Sequence, residues 1–365
     1  MSALASELLR QPPATARAPK LALLGTGTVG SAFVRRYQSL LARGLHLPQF
    51  SWLANSRIAH ACVRPPEQVL ADANRAPRLA VPLQPWAEAE GLQAGDVVVD
   101  ATASEEVANW HVQWLTRGVH VVTANKLGQG AQLARAQAIG QARRDSGARY
   151  GDSATVGAGL PLLGSIRALV AGGDHIHAVE GVLSGSLAWL FHRYDGSTPF
   201  SECVREAAAA GYTEPDPRID LSGEDVRRKL LILARAAGVS LDAEQVRVES
   251  LVPAALATAA PAALDAALPL LDAPLAARWQ QAQAHGRCLC VVGRFDRDGA
   301  SVALRELAAD HPLAAGSGTD NRVAIHSDRY AAQPLLIQGP GAGAEVTAAA
   351  LLDDVLAIVR GGPAG

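Results

Sequence analysis

Residues 20–30 read K-L-A-L-L-G-T-G-T-V-G. A short apolar run ends in three glycines, Gly25, Gly27 and Gly30, spaced G-x-G-x-x-G. S-A-F-V-R-R-Y-Q-S-L-L follows, with its apolar residues at helical spacing. Strand, glycine turn and helix in that order open a dinucleotide-binding βαβ unit. The first glycine makes the turn, the second lets the backbone approach a pyrophosphate, and the third lets helix and strand pack closely. The helix N-terminus adds free N–H groups and a partial positive charge. Gly25, Thr26, Gly27, Thr28, Val29 and Gly30 are therefore the candidate cofactor loop. A glycine turn without a ligand is the alternative, and the flanking strand and helix argue against it.

The alternation continues downstream. Residues 50–54 (F-S-W-L-A), 96–101 (D-V-V-V-D-A), 119–123 (V-H-V-V-T) and the short A-R-Y-G-D at 148–152 read as strands. Residues 104–116 and 131–146 read as helices. An open, Rossmann-type parallel sheet covered by helices is expected over residues 20–150, after a lead of residues 1–19. The end of the second strand reads Ala54-Asn55-Ser56-Arg57, with no carboxylate for a ribose 2′-hydroxyl. Asn55, Ser56 and Arg57 suit a 2′-phosphate instead, which favours NADP and leaves NAD as the alternative. Arg57 as a solvated loop charge is the other reading.

Beyond residue 150 the pattern changes. G-A-G-L-P-L-L at 157–163 opens a helix, 179–184 reads as a strand, and helices follow at 186–194, 200–210 and 222–237. Gly211 suits a helix C-cap. Residues 251–280 are helical and loop-like, and 286–308 form a hairpin around D-R-D-G. A final helix spans 347–359 after G-P-G-A-G. The expected architecture is α/β: the doubly wound nucleotide domain, then an α/β (α+β) substrate-binding domain over 151–320. A segment over 321–365 is expected to return to the nucleotide domain.

Composition excludes several classes. The chain has 365 residues and a formal charge of −2, so nothing points to a nucleic acid. Cys62, Cys203, Cys288 and Cys290 form no disulfide or zinc pattern and read as core thiols. There is no signal-peptide pattern and no apolar run of membrane-spanning length, so a soluble cytoplasmic protein is expected. Only three of 33 basic residues are lysines: Lys20, Lys126 and Lys229. A lysine can release its proton once partly desolvated, and an arginine cannot. Lys126 and Lys229 sit in T-A-N-K and G-E-D-V-R-R-K. His111, His120 and His192 lack a partner pattern and read as structural or surface positions.

The densest stretch is G-Y-T-E-P-D-P-R-I-D-L-S-G-E-D-V-R-R-K at 211–229. Asp225 and Lys229 are four apart on one helical face. A surface ion pair would have the same spacing. Here the face follows a proline-constrained loop with further acids, a pattern suited to binding a substrate ammonium and leaving the lysine as proton donor.

These motifs, with A-T-V-G-A-G-L-P, L-S-G-S-L and G-P-G-A-G-A-E-V-T-A in order, make the sequence resemble homoserine dehydrogenase. The likeness is to the dehydrogenase half of the bifunctional aspartokinase–homoserine dehydrogenases and runs from about residue 20 to residue 360. The resemblance implies NAD(P)-dependent interconversion of L-homoserine and L-aspartate 4-semialdehyde, on the route to threonine and methionine. It implies that Lys229 is the catalytic lysine and Lys126 a second active-site lysine. It assigns Glu214, Asp220 and Asp225 to substrate, with Gly185, Ser186 and Tyr212 lining the pocket. It sets Thr102, Ala103, Asn125 and Gly341 beside the cofactor, and it implies a homodimer formed through the second domain's sheet.

The chemistry agrees. Hydride addition to an aldehyde leaves an alkoxide that needs a proton and a positive field. Lys229 supplies the first and Lys126 the second, and burial with the second ammonium is expected to lower the Lys229 pKa. Two departures stand out. Family members that bind a monovalent cation use carbonyls of the V-G-A-G loop, here those of Val156 and Ala158, and a Glu where this chain has Ser153. Two alternatives follow: those two carbonyls hold Na+ or K+, or the site is lost. The chain is also expected to hold neither an aspartokinase portion nor an ACT-type domain, and to be insensitive to threonine. An aspartate-semialdehyde dehydrogenase would need a nucleophilic cysteine in a polar loop, and no such cysteine is present. The remaining alternative is a nucleotide-binding regulatory homologue without catalysis.

Overall fold

The computed structural model describes residues 17–56, 59–77, 91–316 and 318–361. Arg57 and most of the N-terminal lead lie outside them. Among the described residues, β1 (Lys20–Leu24), β2 (Gln49–Ala54), β3 (Ala59–Ala61), β4 (Val97–Asp100), β5 (His120–Thr123) and β6 (Tyr150–Gly151) form one sheet. Its order is β3-β2-β1-β4-β5-β6. Every pairing is parallel except the edge pair β2–β3, which is antiparallel. The expected parallel sheet is present, with one added antiparallel edge strand. Three residues, A-H-A, are too short to carry a periodic signal.

The sheet is buried on both faces. Leu21 and Leu23 of β1, with Val97 and Val99 of β4, meet α1 (Thr28–Ala42) through Phe33, Val34 and Tyr37. Ala22, Leu24 and Val98 point the other way, towards Trp110 and Trp114 of α3 (Glu105–Thr116) and Ile139 of α4 (Leu133–Ser146). Between β3 and β4 lies α2 (Pro66–Arg75), which the sequence reading did not anticipate. Side chains alternating across a doubly covered sheet explain the near-continuous apolar strands.

The second sheet holds β7 (Ile176–Val182), β8 (Val246–Val248), β9 (Arg287–Asp296), β10 (Gly299–Ala308), β11 (Asp320–Ser327) and β12 (Leu335–Pro340). Its order is β12-β11-β7-β9-β10-β8, antiparallel except for β8 on β10. The D-R-D-G hairpin joins β9 to β10. One face packs on α5 (Leu162–Ala171), α6 (Gly185–Arg193), α7 (Phe200–Ala209) and α9 (Glu224–Ala236) through Val179, Leu183, Val323 and Ile325. Between α7 and α9 lies the single turn α8 (Pro217–Leu221). Gly211, at φ +72°, ends α7 with Tyr212 N–H bonded to Ala207 O at 2.9 Å. The stretch at 251–280 breaks into short turns before the longer helix Asp272–Ala284.

Two expectations change here. The segment 321–365 divides: β11 and β12 stay in the second sheet, and only the helix Ala344–Val359 packs back on α1 and the nucleotide sheet. The alternating D-N-R-V-A-I-H-S stretch satisfies its backbone by pairing with β7. Cys288 and Cys290 are half-buried and lie on the sheet face opposite the main core, beside Val182, Val292, Leu307, Leu313 and Ala324. Period-two spacing sets both thiols on that face.

Candidate functional site

The glycine loop is required by its geometry. Gly25 has φ +94°, and a Cβ there would lie 2.7 Å from Ala101 O. A Cβ on Gly30 would lie 1.9 Å from Gly25 O. A Cβ on Gly27 would meet nothing within 4 Å, so this glycine leaves the backbone bare toward open space. That is the cradle a pyrophosphate fits, with α1 starting at Thr28 and Val29 behind it. Thr26 is buried, and its Oγ1 donates to Asn74 Oδ1 at 2.6 Å and accepts from Asn55 Nδ2 at 2.7 Å. Asn74, on α2, was not foreseen because its partner Thr26 lies 48 positions away in sequence. Asn55 also donates to Ala73 O at 3.0 Å, so its amide braces the loop, while Ser56 is exposed.

A second group gathers at the ends of β4 and β5. Asn125 is buried and donates to Asp100 Oδ2 at 3.0 Å and to Ser104 O at 2.8 Å. Thr102 N and Oγ1 both donate to Asp100 Oδ1. Ala103 is exposed beside them. Asp100 also contacts His111, which is fully buried and bonded in turn to Tyr150. His111 is thus structural, as its lack of a sequence pattern suggested, with partners on two other elements.

The lysines converge on one carboxylate. Lys229, 8% exposed, donates from Nζ to Leu183 O at 2.7 Å and pairs with Asp225 Oδ2 at 2.9 Å. Lys126 Nζ lies 3.4 Å from Asp225 Oδ1. Burial alone would raise the Asp225 carboxyl; the Lys229 and Lys126 ammonium groups outweigh it and hold it well below the usual carboxylate range. Asp225 bridges the two ammonium groups. Lys126 follows β5 and Asp225 sits on α9, so this contact joins the two sheets' domains. Arg235 strengthens the same junction by donating to Gln129 O and Ala131 O.

Next to Leu183, Ser184 caps α6 and its Oγ lies 2.9 Å from Ser186 Oγ. Ser186 Oγ donates to Asp220 Oδ1 at 2.7 Å, and Glu214 N donates to Asp220 Oδ2 at 2.9 Å. Gly185 presses on Thr319, where a Cβ would lie 3.0 Å from Thr319 O. Glu214 and Tyr212 are exposed at the rim, and Tyr212 lies against Trp189 with ring centroids 5.2 Å apart. Gly341 is buried against Asn321, whose Oδ1 would lie 1.9 Å from a Cβ there.

The loop after β6 carries Gly157 at φ +72° and Ala158 at φ +51°, the one non-glycine residue with positive φ among those described. Its neighbouring acids are committed. Asp152 pairs with Arg167 at 2.7 Å, and Asp354 accepts from Ser153 N and Oγ at 3.1 and 2.6 Å. The side chains present therefore do not fit a carboxylate-assisted cation site at Val156 and Ala158.

Among the described residues no helix is long and apolar enough to cross a membrane. A family model described as homoserine dehydrogenase matches residues 161–356, and one described as homoserine dehydrogenase, NAD binding domain, matches residues 25–151. The chain is 44% identical over 263 residues to a bifunctional aspartokinase/homoserine dehydrogenase of Arabidopsis thaliana, covering 71% of this chain and 29% of that protein. It is 35% identical over 375 residues to a homoserine dehydrogenase of Emericella nidulans, covering 93% of this chain and 98% of that one. A solved structure from Candida auris, described as of unknown function, superposes with a TM-score of 0.83 at 34% identity, over 94% of this chain and 98% of that one. With both of its domains matched and a full-length relative at this identity, the chain belongs to the homoserine dehydrogenase family.

Proposed function

We propose that the chain interconverts L-homoserine and L-aspartate 4-semialdehyde, with Lys229 as the proton-transfer residue. The observation that carries this reading is the Lys126–Asp225–Lys229 cluster at the domain junction. An ammonium has three N–H donors, and Leu183 O and Asp225 take two of those on Lys229. The third remains for a substrate oxygen. In the reducing direction it protonates the developing alkoxide, and in the oxidising direction the neutral amine takes the hydroxyl proton. Lys126 adds positive field to the same oxygen. A bound nicotinamide supplies or accepts the hydride. Ser186, Asp220, Glu214 and Asp225 offer acceptors for the substrate ammonium, with Tyr212 and Gly185 shaping the rim.

NADP is the proposed preferred cofactor and NAD the secondary one. The absence of a carboxylate in Ala54-Asn55-Ser56-Arg57 supports this order. The cofactor contacts are proposed at Gly25–Gly30, Asn55, Ser56, Arg57, Thr102, Ala103, Asn125 and Gly341. A homodimer is proposed through the second sheet's outer face, where Cys288 and Cys290 are half-buried at the edge of its apolar cluster. No step is assigned to a monovalent cation, and turnover is expected to be unchanged when tetramethylammonium replaces Na+ and K+.

Homoserine-dependent reduction of NADP+ and NAD+, followed by absorbance with Lys229→Ala alongside, tests the reading. Rapid NADP+ reduction that vanishes in the variant supports it. A folded chain with no homoserine-dependent signal from either cofactor overturns it and brings the non-catalytic alternative forward.

A further inference from the structure

Asp100 ends β4 fully buried, and both of its oxygens are surrounded by donors. Oδ1 accepts from Thr102 N at 2.9 Å and Thr102 Oγ1 at 2.7 Å. Oδ2 accepts from Asn125 Nδ2 at 3.0 Å and Thr123 Oγ1 at 3.4 Å, and lies 2.9 Å from His111 Nε2. The Thr102 N–H on Oδ1 and the Asn125 amide N–H on Oδ2 can only donate, an arrangement that suits an acceptor-only carboxylate.

Among the described residues no lysine or arginine pairs directly with the Asp100 carboxylate. Its hydrogen-bonded titratable neighbour, His111, is fully buried, and His111 Nδ1 lies 3.0 Å from the hydroxyl of Tyr150, which is 1% exposed. A neutral imidazole satisfies both contacts: Tyr150 O–H donates to Nδ1, and Nε2–H donates to Asp100. With that tautomer the pair carries a single negative charge in a water-excluded place.

Its location gives it a use. In the order β3-β2-β1-β4-β5-β6, the end of β2 receives the adenosine ribose and the β1 turn the pyrophosphate. The nicotinamide half therefore lies over the ends of β4 and β5, where Asp100 stands behind Thr102 and Asn125. The oxidised ring is positively charged and the reduced ring is neutral. A fixed negative charge in a low-dielectric setting acts on the first and not on the second.

We propose that Asp100, held by the His111–Tyr150 chain, is a cofactor-tuning residue whose buried charge favours the oxidised over the reduced nicotinamide. This rests on the proposed cofactor chemistry but not on homoserine as substrate. The discriminating quantity is the ratio of the dissociation constants of NADP+ and NADPH. A merely structural role would weaken both forms alike.

The test is titration of the full chain and of Asp100→Asn with NADP+ and with NADPH, without substrate. The asparagine NH2 must face either Asn125 Nδ2 or Thr102 N, so the variant loses one hydrogen bond, and the ratio of the two affinities, not either affinity alone, carries the test. Asp100→Asn is expected to weaken NADP+ relative to NADPH by about tenfold. An unchanged ratio overturns the proposal. The unaltered chain gives a second reading that no folding defect can blur: NADP+ is expected to bind at least as tightly as NADPH, and NADPH binding tenfold or more tightly overturns the proposal. If neither form binds, this proposal and the cofactor assignment fall together. If both bind and homoserine is not oxidised, only the substrate reading falls.

Discussion

The two halves of the site are built from opposite materials. The nucleotide half is backbone: Gly25 and Gly30 are required because a Cβ would strike Ala101 O or Gly25 O, and Gly27 leaves peptide groups open. The substrate half is charge: Lys126 and Lys229 each lie within 3.4 Å of Asp225, and Ser186 pairs with Asp220 nearby. A backbone site is broken by adding atoms, and a side-chain site by removing them.

The largest effect is expected on the charged side. Lys229→Ala should lower turnover about 10²–10⁴-fold, the usual loss when a positioned proton donor is removed. Lys229→Arg should fail to restore it, since arginine does not release its proton. Steady-state rates with homoserine measure both, and near-normal turnover in either variant would break the contrast.

Addition on the backbone side should follow. Gly30→Ala forces a methyl group onto a carbonyl that cannot move independently of the turn, with about 1–3 kcal/mol of stability lost and cofactor binding with it. Gly27→Ala sharpens the point. Its methyl group meets no protein atom, so the melting temperature should hold while cofactor affinity falls. Thermal denaturation and cofactor titration on the same samples separate the two. A Gly27→Ala protein that binds cofactor normally would remove this loop from the site.

The second sheet offers a smaller, separate test. Arg305→Glu reverses a charge at an exposed position opposite Cys290 on the outer face and leaves the inner core untouched. Sedimentation should show a lighter species with unchanged secondary structure. An unaltered mass would move the proposed dimer contact elsewhere.

The smallest effect concerns acid. The Asp225 carboxyl is depressed in the folded chain, so its contribution to stability is complete above the unfolded value of about 3.9 and is lost as pH falls below it. Asp225→Asn should flatten that acid limb in a pH series of melting temperatures. An identical slope would show that the pair is screened by solvent, in keeping with the 40% exposure of the Asp225 side chain.

Legibility followed locality. β1, α1 and the glycines between them were readable because each depends on neighbours within a few positions. The Asp225–Lys229 pair was readable for the same reason, since one helical turn brings them together. β3 and α2 went unread, the first for its length. β11 went unread although D-N-R-V-A-I-H-S alternates, because strand periodicity does not say which strand will pair with it. Cys288 and Cys290 were assigned to the core, yet alternation alone cannot tell which face of a sheet is covered.

From its order of residues this chain specifies a nucleotide turn, a helix carrying an acid and a lysine one turn apart, and the alternation of strands and helices. Each follows from backbone sterics or helical periodicity over a short span. Folding alone decided that Lys126 would reach Asp225, that Leu183 O would hold Lys229, and that Asp100, His111 and Tyr150 would line up in the dark of the first domain. Those contacts join residues 11 to 99 positions apart, and only the packing of separate elements around two sheets brings such distant groups within hydrogen-bond or ion-pair reach.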